Sequence, residues 1–166
     1  MSTLDGFCTW LAATPASQMI QTAEWIVPAV QTVHILGVAT VITSVLMMDL
    51  RLLGVGAREF TIAATAGRFL PFIWFALPLL LATGVTLIIA EPARALKNPI
   101  FLTKMMLLIG AVAITLACQV VLQRDAAYWD KHATRRRAGR LMAFTSLTLW
   151  IAILFAGRWI AYFQGS

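Results

Sequence analysis

Four long stretches of this sequence contain no charged residue, and they constrain its fold more than any other feature. The stretches lie between Glu24 and Asp49, Arg68 and Glu91, Lys104 and Arg124, and Arg140 and Arg158. A helix needs roughly 20 apolar residues to cross a bilayer, and each stretch approaches or exceeds that length. A chain of 166 residues has too little other sequence to enclose four such helices in a soluble core. The sequence therefore predicts an all-α integral membrane protein, a four-helix bundle.

The chain has no internal repeat, and we treat residues 1–166 as a single transmembrane domain. The membrane-spanning segments are placed at about residues 26–48, 69–90, 100–123 and 141–163. Prolines mark their starts: Pro28 falls in the first turn of the first helix, and Pro71 is expected to open the second. Asn98 followed by Pro99 is typical of an N-cap and first-turn pair, which is expected to start the third.

The N-terminal segment is predicted to form a short helix in the membrane interface. A secretory signal is not expected, because Asp5 stands where a basic region would be and Thr14 and Pro15 interrupt the apolar run. Thr14 and Pro15 are instead expected to open a second helical turn. Apolar residues recur at helical spacing before them: Leu4, Phe7, Cys8 and Leu11.

Basic residues predict the orientation of the bundle. The loop before the second span and the loop before the fourth span carry most of them: Arg51, Arg58, Arg68, Arg124, Lys131, Arg135, Arg136, Arg137 and Arg140. Positive loops stay in the cytoplasm, so both termini are expected outside a bacterial inner membrane. Topology and anionic lipid account for the net charge of +6, and no nucleic-acid partner is needed.

His34 is the most informative residue for function, since an ionisable group within a span is costly unless it is bound. It lies roughly 12 Å inside the outer end of the first helix. Gln31 supplies an amide one turn before it, and Gly37 leaves space one turn beyond. This setting suits a haem whose iron is held by the neutral imidazole, with Gln31 and Gly37 shaping the pocket. The alternative is a structural histidine bonded to a neighbouring helix.

Two further cations fall in the same outer layer of the bundle. Lys104 lies roughly 7 Å inside the third helix, and Arg158 is about as deep in the fourth. They are expected to pair with haem propionates or with an anionic substrate group. Glu91 and Arg94 lie at the rim of this layer. The alternative for each cation is that it only extends to the outer headgroups.

A second axial histidine is missing from the predicted membrane-spanning segments. His132 belongs to the basic loop at the opposite face of the membrane. The predicted iron is therefore five-coordinate, or completed by water, by Lys104, or by His34 of a partner chain in a homo-oligomer.

The first core helix resembles a known group of proteins. Its sequence, from Gln31 to Gly54, reads Q-T-V-H-I-L-G-V-A-T-V-I-T-S-V-L-M-M-D-L-R-L-L-G. The H-x-x-G start and the D-L-R-L-L-G exit resemble small four-helix bacterial membrane proteins of a largely uncharacterised family. The run is distantly similar to HemJ-type protoporphyrinogen oxidases and to CopD-type membrane domains.

The HemJ-like resemblance implies b-haem at the histidine, matched here by His34. It also implies a lysine that opens a later helix, matched by Lys104 in N-P-I-F-L-T-K-M-M-L-L. The stretch that follows the histidine differs, reading V-A-T-V-I-T where HemJ-like proteins have a W-F-A-G-L-like sequence. The resemblance thus favours haem binding over the oxidase chemistry itself.

Copper handling is the main alternative, because the chain carries soft ligands that suit Cu(I): Met47, Met48, Met105, Met106 and Cys118. These methionine pairs are expected at opposite faces of the membrane. Cys8 and Cys118 are also expected too far apart for a disulfide. A third alternative is a non-catalytic subunit of a membrane complex.

The preferred hypothesis is a b-type haem protein that acts in electron transfer or in porphyrin- or quinol-linked oxidation. Its partners are expected to be a quinol, a porphyrin or a redox protein. A catalytic form of this hypothesis is a haem-dependent membrane oxidoreductase whose catalytic residues the sequence does not identify.

Overall fold

A computed structural model describes residues 3–55, 59–129 and 131–160 of the chain. These residues form seven helices and no strand: α1 (Thr3–Ala12), α2 (Pro15–Thr22), α3 (Ile26–Leu53), α4 (Ile62–Ala90), α5 (Pro92–Leu96), α6 (Pro99–Arg124) and α7 (Ala133–Trp159). Four of them, α3, α4, α6 and α7, are long and apolar enough to cross a membrane. The predicted all-α membrane bundle is confirmed.

The four long helices pack around a narrow apolar core. α3 lies against α4 on one side and α7 on the other, and α6 packs mainly on α7. The most completely buried core residues come from all four helices: Val41, Ile73, Ala111 and Ala143. α4 and α6 pack against each other least, so the bundle is loosest on that side. We call the end that carries α1, α2 and α5 the amino-terminal end, and the opposite end the basic end.

Side-chain caps explain where three of the helices begin: α2, α4 and α6. The Thr14 hydroxyl accepts a hydrogen bond from the backbone N–H of Ser17 at the start of α2. Asn98 accepts one from the N–H of Ile100 over 2.9 Å at the start of α6. The predicted second N-terminal turn and the predicted cap before Pro99 are therefore confirmed.

Pro71 does not open the second long helix, as the sequence suggested. That helix begins earlier, where the Thr61 hydroxyl accepts a hydrogen bond from the N–H of Ala64 over 3.1 Å. Pro71 and Pro78 both lie inside α4. Proline is tolerated in the interior of membrane helices because neighbouring groups can satisfy the freed backbone.

The long helices also extend past the predicted spans at the basic end. α3 continues to Leu53 and ends at Gly54, whose φ of 82° lies in the left-handed region. α7 begins at Ala133, well before the predicted span at residue 141. Residues 161–163 of that span lie outside the described residues. Charged side chains can occupy the ends of a membrane helix, so helix length exceeds the charge-free stretch.

The short helices α1 and α2 are attached to the amino-terminal end by polar contacts. The buried Ser17 hydroxyl donates to the carbonyl of Ile89 over 2.7 Å, and the Gln21 amide donates to the carbonyl of Ala90 over 2.9 Å. Lys97, which directly follows α5, pairs with Asp5 of α1 over 2.6 Å. This hydrogen bond raises the pKa of Lys97. The ion pair therefore stabilises the docking of α1 at pH values below the ordinary pKa of lysine. This stabilisation is lost as the pH rises through the raised pKa of Lys97.

Both cysteines are free and buried, as expected. Cys8 belongs to α1 and Cys118 to the half of α6 nearer the basic end.

Candidate functional site

A cavity of about 420 Å³ opens among the four long helices in the half of the bundle nearer the amino-terminal end. Most of its lining is apolar, which suits the flat body of a cofactor. α5 and the end of α4 form its rim. Its polar lining side chains include those of Gln31, His34, Glu91, Arg94 and Lys104.

His34 lies in the wall of this cavity, and a neighbouring helix fixes its ring. The ring nitrogen Nδ1 is 2.7 Å from the hydroxyl oxygen of Thr83 on α4. Thr83 has one hydroxyl hydrogen, which it donates to the carbonyl of Leu79 over 2.8 Å. When that hydrogen goes to the carbonyl, the Thr83 oxygen can accept from Nδ1–H of His34. The other ring nitrogen, Nε2, then carries the lone pair of a neutral imidazole.

Gly84 provides the space beside the imidazole. A Cβ added at this glycine would lie 3.7 Å from Cε1 of His34. Both residues line the cavity, so a large side chain at position 84 would compete with a ligand for the same volume. Gly37 serves a different purpose. A Cβ there would lie 2.9 Å from the Leu80 side chain, so Gly37 allows α3 and α4 to approach closely and does not line the cavity.

Lys104 reaches the same cavity from α6. A Cβ added at Gly157 of α7 would lie 3.6 Å from its Nζ, so that glycine leaves room for the ammonium group. Lys104 has no carboxylate partner among the residues the structure describes. It is close enough to His34 for the two groups to interact electrostatically. The cavity thus holds one imidazole and one ammonium whose charge no carboxylate offsets.

The remaining predicted residues are divided between the cavity and its surroundings. Gln31 lines the cavity one turn before His34, as predicted. Arg94 and Glu91 form an exposed ion pair over 2.7 Å at the rim. Arg158 is exposed and does not line the cavity, although its neighbour Gly157 does.

Of the soft ligands considered for copper, only Met48 and Cys118 line the same cavity. Met47 and Met106 are exposed on the outside of the bundle, with 41% and 73% of their surfaces accessible. Met105 lines the large cavity. Met48 and Cys118 line a second, smaller cavity near the basic end.

Three residues that shape the large cavity were not among the predicted site residues. Thr83 sets the orientation of His34, while Gly84 and Gly157 leave room beside His34 and Lys104. Thr83 and Gly84 follow Pro78 in a small polar patch of an otherwise apolar helix. That patch is the only signal that could have marked them.

Sequence comparison identifies the family. Residues 17–163 match the profile of a family of unknown function, DUF6644. The chain belongs to this family. No curated protein and no solved structure matches it.

The match to DUF6644 includes all four long helices and every polar residue of the cavity, so the site belongs to the part shared with the family profile. Among the described residues, no group of three or more histidine, cysteine, aspartate or glutamate side chains could hold a bare metal ion. A haem brings four nitrogen ligands of its own, so it needs few protein side chains at its iron. The residues present fit such a group, because they offer one imidazole nitrogen, an apolar cavity and cations near its rim.

Proposed function

We propose that this protein binds one b-type haem in the large cavity through Nε2 of His34. The observation that carries the proposal is the hydrogen bond from Nδ1 of His34 to Thr83 over 2.7 Å. Histidines that bind a metal almost always donate their second nitrogen in this way, which fixes the ring and its tautomer. The volume of about 420 Å³ lies within the range of cofactor sites, about 300–1,000 Å³.

The other lining residues have distinct roles in this proposal. Lys104 and Arg94 attract the anionic propionates, with Lys104 supplying the more buried charge. Gln31 offers an amide near the imidazole. The apolar lining from α4 and α7 excludes water from the face of the ring.

A b-type haem at this place would supply one-electron chemistry close to one membrane surface. Electron transfer, or porphyrin- or quinol-linked oxidation, is the function that this arrangement supports best. No other histidine of the described residues lines the cavity, so a further protein ligand would be Lys104 or His34 of a partner chain, and water is the remaining candidate. A quinol, a porphyrin or a redox protein is the proposed electron partner.

The direct test is expression of the full chain with added haem, followed by purification in detergent. We expect about one haem per chain and a b-type reduced spectrum that carbon monoxide changes. A folded protein without a Soret band would contradict the proposal. Metal analysis of the same sample distinguishes a copper protein from a subunit that contains neither group.

Gly84→Leu should block the cavity without touching the proposed iron ligand. A Cβ at this position already lies 3.7 Å from the imidazole, so a leucine side chain must extend into the ligand volume. We expect haem content to fall at least tenfold in Gly84→Leu, while Gly84→Ala keeps most of it. Haem content per folded chain is the measurement.

Gly67→Leu is the matched control for that experiment. It lies on the same helix, and no heavy atom is within 4 Å of a Cβ added there. Equal haem in Gly84→Leu and Gly67→Leu would show that the ligand lies elsewhere.

We also propose that the protein lies in a bacterial inner membrane with its amino-terminal end outside and its basic end in the cytoplasm. The arginine-rich start of α7 supports this orientation. Single cysteines at Ala95 and Ala133 should then react from opposite sides in intact cells. A membrane-impermeant thiol reagent should label Ala95→Cys directly and Ala133→Cys only after permeabilisation. Labelling of both from one side would contradict the four-span topology.

A further inference from the structure

A buried carboxyl group lies at the basic end of the bundle, in the wall of the second cavity. This cavity has a volume of about 20 Å³, which is room for about one water molecule. The large cavity and this one share no lining residue. All four long helices contribute to its wall, and the residues that matter here are Asp49, Ile73, Thr115, Cys118, Met142 and Ser146.

Asp49 is 5% exposed, and its Oδ2 atom has no hydrogen-bond partner in the described part of the chain. Ser146 of α7 lines the same cavity and carries a hydroxyl group that can bond to this carboxyl. No lysine, arginine or histidine forms a salt bridge with Asp49 in the ranges that the structure describes. An ionised carboxylate here would therefore be both buried and uncompensated, which is strongly unfavourable.

The groups that face Asp49 from the packed helices do not supply a compensating charge. α4 contributes Ile73, and α7 contributes Met142 beside Ser146. α6 contributes Cys118, a neutral thiol when protonated, and Thr115, whose hydroxyl hydrogen is donated to the carbonyl of Ala111 over 3.0 Å. The oxygen of Thr115 is left as an acceptor. The surroundings thus favour a carboxyl group that carries its own hydrogen.

We propose that Asp49 is a proton-binding site, held as a carboxylic acid and exchanging its proton with water at the basic end of the bundle. The exchange is a simple acid dissociation. The O–H bond of the carboxyl breaks, the proton passes to a water molecule, and the carboxylate regains a proton from water. This proposal is independent of the haem site, because it concerns a different cavity.

The position of Asp49 makes such exchange feasible. It lies four residues before the last residue of α3, which is roughly 6 Å along the helix axis. Leu52 lines the cavity, and both Leu52 and Trp129 are buried close to Gly139 of α7. Buried carboxyl groups near one membrane surface are typical of proton relays.

A proton fits this cavity better than a metal cation does. A hard cation requires about six oxygen ligands, whereas Asp49, Thr115 and Ser146 offer four side-chain oxygens between them. A proton requires only one acceptor. A copper(I) ion prefers sulfur ligands, so it would not explain why Oδ2 of Asp49 has no hydrogen-bond partner in the described part of the chain.

Infrared spectroscopy of the full chain in liposomes tests the proposal, with carbon-13 aspartate used to identify aspartate bands. At about pH 6, two units above the ordinary aspartate pKa of about 3.9, wild-type protein should show a protonated aspartic acid band. This band should shift in heavy water. Asp49→Asn should remove it completely. A missing band in wild-type protein, or an unchanged band in Asp49→Asn, overturns the proposal.

Asp125→Asn is the matched control and should leave the band intact. Asp125 lies outside the spans, and its hydrogen bond with Lys131 holds the pKa of its carboxyl below the usual range. If Asp49→Asn does not fold, Ser146→Ala replaces it, since this variant keeps the carboxyl and removes its neighbour. The band should then remain at a changed frequency, and an unchanged frequency overturns the assignment. Loss of the wild-type band on addition of sodium or of copper(I) would show a metal site and also overturn the proposal.

Discussion

Replacing His34 with alanine should remove at least nine-tenths of the bound haem while the protein still inserts and folds. Loss is expected because no other histidine lines the large cavity, whereas insertion depends on the hydrophobicity of the four long helices. The measurement is the reduced b-type spectrum per folded chain, with folding followed by helix content and gel filtration. Haem that survives His34→Ala unchanged would show that His34 is not its ligand.

His132→Ala is the matched control, and it should leave the spectrum unchanged. His132 is exposed and precedes the first residue of α7 at the basic end, far along the bundle from the large cavity. A loss of haem in both histidine variants would indicate general destabilisation. A loss only in His34→Ala would support direct ligation.

Thr83→Val separates ligation from simple packing at the same site. Valine has nearly the shape of threonine, but it cannot accept the hydrogen bond from Nδ1 of His34. If the imidazole holds iron, losing this partner should weaken haem binding about 10–100-fold, as is typical for such partners of metal ligands. If His34 is only a structural histidine, Thr83→Val should change the stability of the protein and leave the haem spectrum unchanged.

The transmembrane architecture was predictable because its signals are local. A helix in lipid must satisfy its own backbone, so a long charge-free stretch can form little else. The helix caps at Thr14 and Asn98 were equally predictable from the sequence, because each depends on residues within three positions of it. Pro71 was misleading because its effect depends on neighbours in space, and the sequence does not show them.

The cavity was only partly predictable, for the same reason. Depth along each helix placed His34 and Lys104 in one layer, and the structure brings both to one cavity. The depth of a residue along a helix does not show in which direction around the helix axis its side chain points. Gly37 was therefore expected to border the ligand, yet it faces Leu80 of α4, while Gly84 takes the place beside the imidazole.

Asp49 illustrates a related limit of charge patterns. In the sequence it marks the end of the first charge-free stretch, which is typical of a residue that meets water. In the structure α3 continues past it to Leu53, and the carboxyl is buried against α6 and α7. A charged residue near the end of a span can thus be part of the interior, and only packing shows which face it takes.

Replacing Lys104 with methionine should weaken binding of the anionic ligand by about 2–5 kcal/mol, as for removal of one partner from a buried ion pair. Methionine preserves most of the volume of the side chain, so packing should change little. The reason for a large effect is that the ammonium faces the cavity without a carboxylate partner among the described residues. The measurement is the affinity for added haem, determined by spectrophotometric titration.

Lys97→Met provides the matched control, because Lys97 is exposed directly after α5 and pairs with Asp5 outside the cavity. Its loss should loosen α1 and leave haem affinity nearly unchanged. Haem lacking its propionate charges, as a dimethyl ester, supplies a second comparison. Wild-type protein should bind this ester more weakly than haem, and the Lys104→Met variant should discriminate between the two forms much less than wild-type protein does.

These comparisons distinguish two physical roles for Lys104. A lysine that only extends toward the headgroups interacts with lipid phosphate, so its removal would alter haem and ester binding equally or not at all. A lysine that meets a propionate loses a specific partner when the ester replaces the acid. Equal affinity of the wild-type protein and Lys104→Met for haem would therefore assign Lys104 to the membrane interface. It would also leave Arg94 as the cation at the rim that could meet a propionate.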